Sequence, residues 1–297
     1  MKRLLFIPLL LLALSVGAQN VLRTNAFYTA PAVAAASYCA EYQAVYDEYG
    51  TPPHDTIAAK WNTFVETLVD DGVWDSIDVM WVFAIDAAAN ALINWITPGT
   101  YTATNVNSVS FTAHEGFTSD VSADYIDLNW NPHDNSTMFT LNRACVGIYN
   151  RTSLGNNNYV ETGCGDGTNR IYIQSESNTG VVWGMLNNSG TAAEFSLTGN
   201  ASGMKVLVRL ASGAKTLVLY DNKTTEVDAF SYDGASTSIP DLDAFGCCWN
   251  NNGSPANYSG QQISLIFYGG FKSAASVNSI TDAFETVMDS NGRGVIP

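Results

Sequence analysis

Two adjacent cysteines, a tryptophan and a run of asparagines stand together in FGCCWNNNGSPANYSGQQISLIFYGG, Phe245 to Gly270. Residues of these types could serve a metal site, a disulfide, a ligand-binding loop or a turn between two strands. If Phe245 to Cys248 is a strand, Cys247 and Cys248 point to opposite faces. One then packs inward and the other looks outward, and the pair cannot bind one metal without breaking the strand. The loop from Trp249 to Tyr258 leaves the sheet with Trp249, Asn250, Asn251, Asn252 and Tyr258, an aromatic platform with amides beside it. Such surfaces bind sugars because the CH faces stack on rings while the hydroxyls need fixed polar partners. Trp249, Asn250, Asn252 and Tyr258 are therefore the candidate ligand-binding residues. A solvated Asn/Gly turn with the tryptophan folded onto the sheet is the alternative that the same residues allow.

Other chemistry is thinner. The histidines are His54, His114 and His133, and no cysteine pair has the CxxC spacing of a zinc site, so a His/Cys metal cluster is not expected. His114-Glu115 and His133-Asp134 could suggest acid/base pairs, but neighbours in a strand point apart. No GxSxG nucleophile motif accompanies them, and both read as turn residues. Five cysteines, Cys39, Cys145, Cys164, Cys247 and Cys248, permit at most two disulfides. In an exported chain at least one disulfide and at least one unpaired thiol are expected.

Export is read from the first residues. MKRLLFIPLLLLALSVGAQN has Lys2 and Arg3, an apolar run from Leu4 to Val16 and then small residues, the layout of a signal peptide cleaved after Ala18. That apolar run is too short to span a bilayer, and no later segment is both long and uncharged enough, so no membrane insertion is expected. Lys and Arg number 13 against 28 Asp and Glu, and removing Lys2 and Arg3 leaves 11 against 28, a formal charge of −17. Such a charge argues against nucleic acid and anionic membranes as partners.

The elements that would position these residues follow from periodicity. Residues 19–72 read as a helical segment. Tyr38, Tyr42, Val45 and Tyr49 share a face of a helix from Pro31 to Tyr49, and Ile57, Trp61, Phe64, Val65, Leu68 and Val69 share one from Thr56 to Asp71 behind an Asp55 cap. From residue 73 to 297 the chain reads as one β domain closed by a helix. Strands are expected near 76–85, 91–96, 125–130, 138–149, 170–174, 180–186, 204–210, 215–221, 227–232, 244–248 and 262–269. The closing helix places Val277, Ile280, Phe284, Val287 and Met288 on one face behind a Ser273 cap. Short strands with no helices between them argue for an antiparallel sandwich or barrel.

WDSIDVMWVFAIDAAANALINWITPGTYTATNVNSVSFTAHEGFTSD with ADYIDLNWNP resembles the opening strands of concanavalin A-like, laminin-G-like jelly rolls, a family met in phage virion proteins and secreted bacterial proteins. LVRLASGAKTLVLYDNKTTEVDAF is similar to that family's strand pair with Asp221-Asn222 at the hairpin tip, and QISLIFYGGFKSAASVNSITDAF to its closing strand and helix. The resemblance implies a mainly β, antiparallel two-sheet jelly-roll sandwich with N-terminal helices and a C-terminal helix. It makes the segments of Cys145 and Cys164 neighbouring strands, so Cys145 to Cys164, with Cys247 or Cys248 to Cys39, is the pairing it implies. Hydrolases of the fold carry alternating carboxylates on one strand. Here the nearest approach, Asp124 and Asp127, is three apart and projects from opposite faces, so no enzyme is expected. Domains of the family often hold calcium, which acidic loops at 124–134, 221–228 and 233–243 could serve, but acidic loops alone define no calcium site and no cofactor is expected.

A secreted, non-catalytic carbohydrate-binding or adhesive protein that engages polysaccharide or cell-surface glycan is the function these features favour. A structural or receptor-binding component of a virion or extracellular fibre comes second, with the Ala- and Tyr-rich N-terminal helices mediating self-assembly. A glycoside hydrolase of the glucanase type comes third.

Overall fold

A computed structural model describes residues 37–155, 158–175, 181–195, 201–214, 216–222, 225–228, 234–270 and 273–297. The expected signal peptide, residues 1–18, lies outside the described residues, as do 19–36 and 229–233. In chain order the elements are α1 (Ala40–Glu48), α2 (Asp55–Asp70), β1 (Ile77–Val82), α3 (Ala88–Ala91), β2 (Thr104–Val106), β3 (Ser110–Thr112), β4 (Gly116–Thr118), β5 (Tyr125–Asp127), α4 (Pro132–Asn135), β6 (Ala144–Asn150) and β7 (Thr162–Gly165). There follow β8 (Arg170–Gln174), β9 (Val182–Asn188), β10 (Ala193–Phe195), β11 (Gly203–Arg209), β12 (Leu217–Asp221), β13 (Thr225–Asp228), β14 (Phe245–Gly246), β15 (Trp249–Asn251), β16 (Ser254–Ala256), β17 (Gln262–Gly269) and α5 (Ala274–Ser290).

The strands form two sheets packed face to face as a sandwich. The first runs β13-β12-β11-β6-β17-β4-β3, with β1 also pairing β17; the second runs β10-β9-β8-β7-β14-β5-β2, with the β15-β16 hairpin attached through β7. The pairing is antiparallel except where β15 meets β7 in parallel, Asn250 opposite Cys164 and Asn251 opposite Gly165. Alternation fills the space between the sheets. From the second sheet come Ile171, Ile173, Val182 and Leu186, all buried in the core. Gly184 leaves room there for Leu207 of the first sheet, since a Cβ on it would stand 2.7 Å from the leucine.

Helices cover the other face of the first sheet. Phe284 of α5 packs on Tyr149 of β6 (ring centres 4.9 Å apart) and on Trp61 and Phe64 of α2 (both 5.8 Å). Trp95 joins this layer against Trp61 at 5.4 Å and Tyr42 of α1 at 5.8 Å. β6, β11 and β17 are consequently buried along their whole length. Glu285 of α5, itself buried, accepts from the Tyr149 hydroxyl and from Ile296 N (2.9 Å), which draws the chain beyond α5 onto the sheet. Among the described residues no helix is long and apolar enough to cross a membrane.

The helices match their periodicities, with local differences. The Ser273 side chain caps α5 through Ser276 N at 3.1 Å. α2 is capped by His54, whose Nδ1 accepts from Thr56 N at 3.3 Å, while Asp55 becomes its first residue. α1 begins only at Ala40, because Cys39 is extended and its N–H donates to Asn62 Oδ1 at 2.7 Å. The apolar segment 91–96 is not a strand. Asn94 turns it by accepting from Met80 N and Ile96 N and donating to the Thr97 and Thr100 carbonyls, so a side chain replaces the ladder.

The cysteines differ from expectation. Among the described residues no disulfide joins any two of them. Cys145 lies on β6 and Cys164 on β7, in different sheets and not on neighbouring strands, so the implied pairing is not made. Cys247 and Cys248 are both buried, and neither looks outward. Cys247 has φ +62, which interrupts the strand between β14 and β15, and face alternation does not carry through it. Burial pushes the thiols of Cys164, Cys247 and Cys248 well above the ordinary range.

Candidate functional site

Among the described residues no helix lies over the face of the second sheet turned away from the core, which carries aromatic rings instead. Along β8 the inward Ile171 and Ile173 alternate with Arg170, Tyr172 and Gln174. On β9, Trp183 stands opposite Gln174, and Met185 opposite Tyr172. The β15-β16 hairpin adds a second tryptophan: Trp249 lies against Tyr172, ring centres 5.6 Å apart, and the Arg170 guanidinium carbon is 5.7 Å from the Trp249 ring centre. Val160, Tyr172, Met185 and Ala192 form a small apolar cluster, and half-buried Trp183 and Trp249 pack against it.

Val160, Arg170, Tyr172, Gln174, Trp183 and Trp249 floor an open groove of about 240 Å³. Its remaining walls are Asn158 and Asn257, both exposed, with the Asn257 Nδ2 donating to the Asn158 carbonyl at 3.2 Å. Burial pushes the Tyr172 hydroxyl up to about 12, so it is a neutral donor and acceptor across the working range of pH. Gly165 explains why the indole can lie on the sheet: a Cβ there would stand 2.8 Å from Trp249 Cζ2.

The hairpin is tight, with Asn252 at φ +54 and Gly253 at φ +85 in its turn. Asn250 is buried and structural; its Nδ2 donates to the Asp243 carbonyl at 2.8 Å and its Oδ1 accepts from Gly253 N at 2.9 Å. Asn252 is exposed at the tip, its N–H donating to the Gly165 carbonyl at 2.7 Å. Tyr258 is half-buried and does not line the groove; burial first, then Cys248 and the charges of Asp124 and Asp120, hold its hydroxyl above the ordinary range. Of the four residues singled out from the sequence, the groove contains Trp249. Tyr172, Trp183 and Arg170 join it. The alternation in RIYIQ and VVWGML carries them, since rings there interleave with aliphatic side chains.

Carboxylates stand elsewhere. Asp124 Oδ1 accepts from Ser119 Oγ (2.6 Å) and Asp120 N (2.8 Å), which commits it to its turn. Asp127 and Asp243 are held above the usual carboxylate range, each mainly by burial, Asp243 also by the charge of Asp127. Among the described residues, His133, Asp134 and Asp241 are the group whose ligand atoms come within 4.8 Å of one another; all three are exposed, and the Asp134 carboxylate is on His133 Nδ1 at 2.7 Å. That contact raises the imidazole above its usual value. Next to groove residue Val160, Glu161 turns inward, fully buried. Its carboxyl accepts from Ser175 N (2.8 Å) and Oγ (2.7 Å), yet burial outweighs these bonds and raises it to about 7.

No family model matches the chain, and no curated protein matches it. Solved structures are similar to it in fold. Domain 4 of a GH43 extracellular arabinanase from Geobacillus stearothermophilus, in complex with arabinotriose, is 13% identical with a TM-score of 0.41, over 69% of this chain and 98% of that one. The CBM40 of Ruminococcus gnavus IT-sialidase, bound to α2,3-sialyllactose, is 16% identical with a TM-score of 0.35, over 48% and 83%. Trypanosoma rangeli sialidase in complex with 2,3-difluorosialic acid is 9% identical with a TM-score of 0.47, over 80% of this chain and 40% of that one. All three TM-scores lie under 0.5, so what the groove can do is read from its own residues.

Proposed function

We propose that this is an exported, non-catalytic carbohydrate-binding protein whose sugar lies in the groove on the outer face of β8, β9 and β15. The observation that carries it is the pair of half-buried tryptophans flanking Tyr172, Trp183 on the neighbouring strand β9 and Trp249 on the β15-β16 hairpin, with amide side chains on the rim. Rings set on one sheet face offer flat apolar area at little entropic cost, and the amides and the Tyr172 hydroxyl can meet sugar hydroxyls. The groove is open, which suits a segment of polysaccharide better than an enclosed small molecule.

A glycan array followed by titration with the best ligand tests this. Trp183→Ala and Trp249→Ala should each weaken binding at least about tenfold while the melting temperature stays within a few degrees. A wild-type protein that binds no glycan, or alanine variants that bind as well as wild type, would remove the proposal.

A further inference from the structure

We infer that the groove selects a sugar bearing a carboxylate, which Arg170 receives; this rests on the carbohydrate-binding reading above. The protein is strongly acidic, with 28 Asp and Glu against 13 Lys and Arg. Among the described residues its other cations are taken up either by oxygens of the chain, as where Lys60 donates to the Ser290 carbonyl (2.9 Å) and Asn291 Oδ1 (2.6 Å) and Arg143 to the Gly270 carbonyl, or by acidic partners. Arg151 and Arg293 both reach Glu115, at 2.7 and 3.1 Å, and Lys205 reaches Asp221 at 2.7 Å.

Arg170 is different. Among the described residues no carboxylate pairs with it; one Nη1 contact to the Gly190 carbonyl is long, at 3.5 Å, and Nε is buried without a partner, so the terminal Nη groups are the donors that face a ligand. Asp166, in the turn that leads into β8, is taken up by the N–H groups of Thr168 (2.9 Å) and Asn169 (2.7 Å). A guanidinium held over an indole, with donors unspent, at the end of a groove is arranged to receive a planar anion by two parallel hydrogen bonds.

The charge along the groove has a direction. Arg170, Tyr172 and Gln174 share one face of β8, so the floor spans about 13 Å at the usual rise per residue. Glu194 of β10 stands opposite Trp183, on the side away from β8. The cation therefore lies at one end of the floor and the carboxylate beyond the other. A bound oligosaccharide places its acidic unit at Arg170 and stacks a neutral face near Trp183, so more than one sugar unit is needed for full affinity.

The test uses matched pairs of oligosaccharides, each acidic member beside its carboxyl-reduced form, in which the carboxylate has become a primary alcohol. One arm takes trisaccharides of hexuronate, the other sialylated trisaccharides, and the arm that binds identifies the source of the carboxylate. Titration calorimetry of the full chain should show the acidic member binding about tenfold to a hundredfold tighter than its reduced form. Arg170→Gln should erase that ratio by weakening the acidic member alone, and Arg170→Lys should keep part of it. Equal binding of both forms by wild type overturns the inference. So does an Arg170→Gln variant that weakens both forms alike, which would make the arginine a support for Trp249. Tryptophan-dependent binding of neutral sugars with no acid preference removes the carboxylate but leaves the platform, whereas no glycan binding removes both.

Discussion

The two sheets use their aromatic residues differently. Over the first, Trp61, Phe64 and Phe284 of the helices close on Tyr149, and both faces of β6 and β17 are lost to solvent. Over the second no helix lies among the described residues, and Tyr172, Trp183 and Trp249 cover the strands, two of them remaining half-buried. Rings enclosed from all sides contribute only to stability. Rings that cover a sheet while keeping one face toward water retain area that a ligand can use.

The largest effect on this contrast is expected from Phe284→Ala, which empties the centre of the helix layer. It should cost about 3–5 kcal/mol in urea unfolding, with the folded fraction binding glycan as before. Loss of glycan affinity in that fraction would show the two faces to be coupled.

Next comes Glu161, buried between the sheets. Its folded-state value, about 7, lies above the unfolded one, so the native state holds a proton that the unfolded chain releases. Stability is then greatest below the unfolded value, near pH 4.5, and declines as pH rises toward 7. The integrated difference is about 3 kcal/mol. Glu161→Gln should flatten this part of the profile and be more stable than wild type at pH 8. A wild-type profile without slope between pH 4.5 and 7 would show the carboxylate to be tolerated as an ion.

Gly165→Ala should act on both sides of the contrast. The added Cβ collides with Trp249 and with the Asn169 carbonyl, 3.2 Å away, and should cost about 1–3 kcal/mol as overpacking. Because it displaces the indole, glycan affinity should also fall several-fold, measured in the same titration. Trp249→Ala should have the smallest effect on stability, about 1 kcal/mol for a half-buried ring at the sheet surface, and a far larger one on binding. A cost near that of Phe284→Ala would make Trp249 a core residue.

Much of the fold is legible in the sequence where one period holds over a long segment. The spans 170–174 and 262–269 coincide with β8 and β17, and the apolar stripes of α2 and α5 are the faces that are buried. Three-residue strands such as β2, β3 and β4 escape, because their Thr- and Asn-rich segments show no period. Asn105 even replaces ladder bonds by exchanging hydrogen bonds with Val109 through its side chain. Of the groove, Trp249 is visible because its loop is unusual. Tyr172 and Trp183 are also visible as alternating rings, but their union with Trp249 depends on the parallel contact of β15 with β7, which no local pattern encodes.

One pairing sets the order in which this protein can assemble. β1, the first strand, has β17, the last, as its partner, Ile77 opposite Gly269 and Trp81 opposite Ile266. A chain synthesised from its N-terminus therefore carries IDVMWV, largely apolar and met at Met80 and Trp81 by the nearby Asn94 and Trp95, without its strand partner until almost the whole β domain has been made. The sandwich cannot close as it emerges; folding waits on contacts between the most distant parts of the sequence, and such contacts form slowly. During that wait an exposed edge of this kind is prone to aggregate. A holding chaperone bound to the segment 77–82 should raise the yield of refolding more than one bound to any later strand.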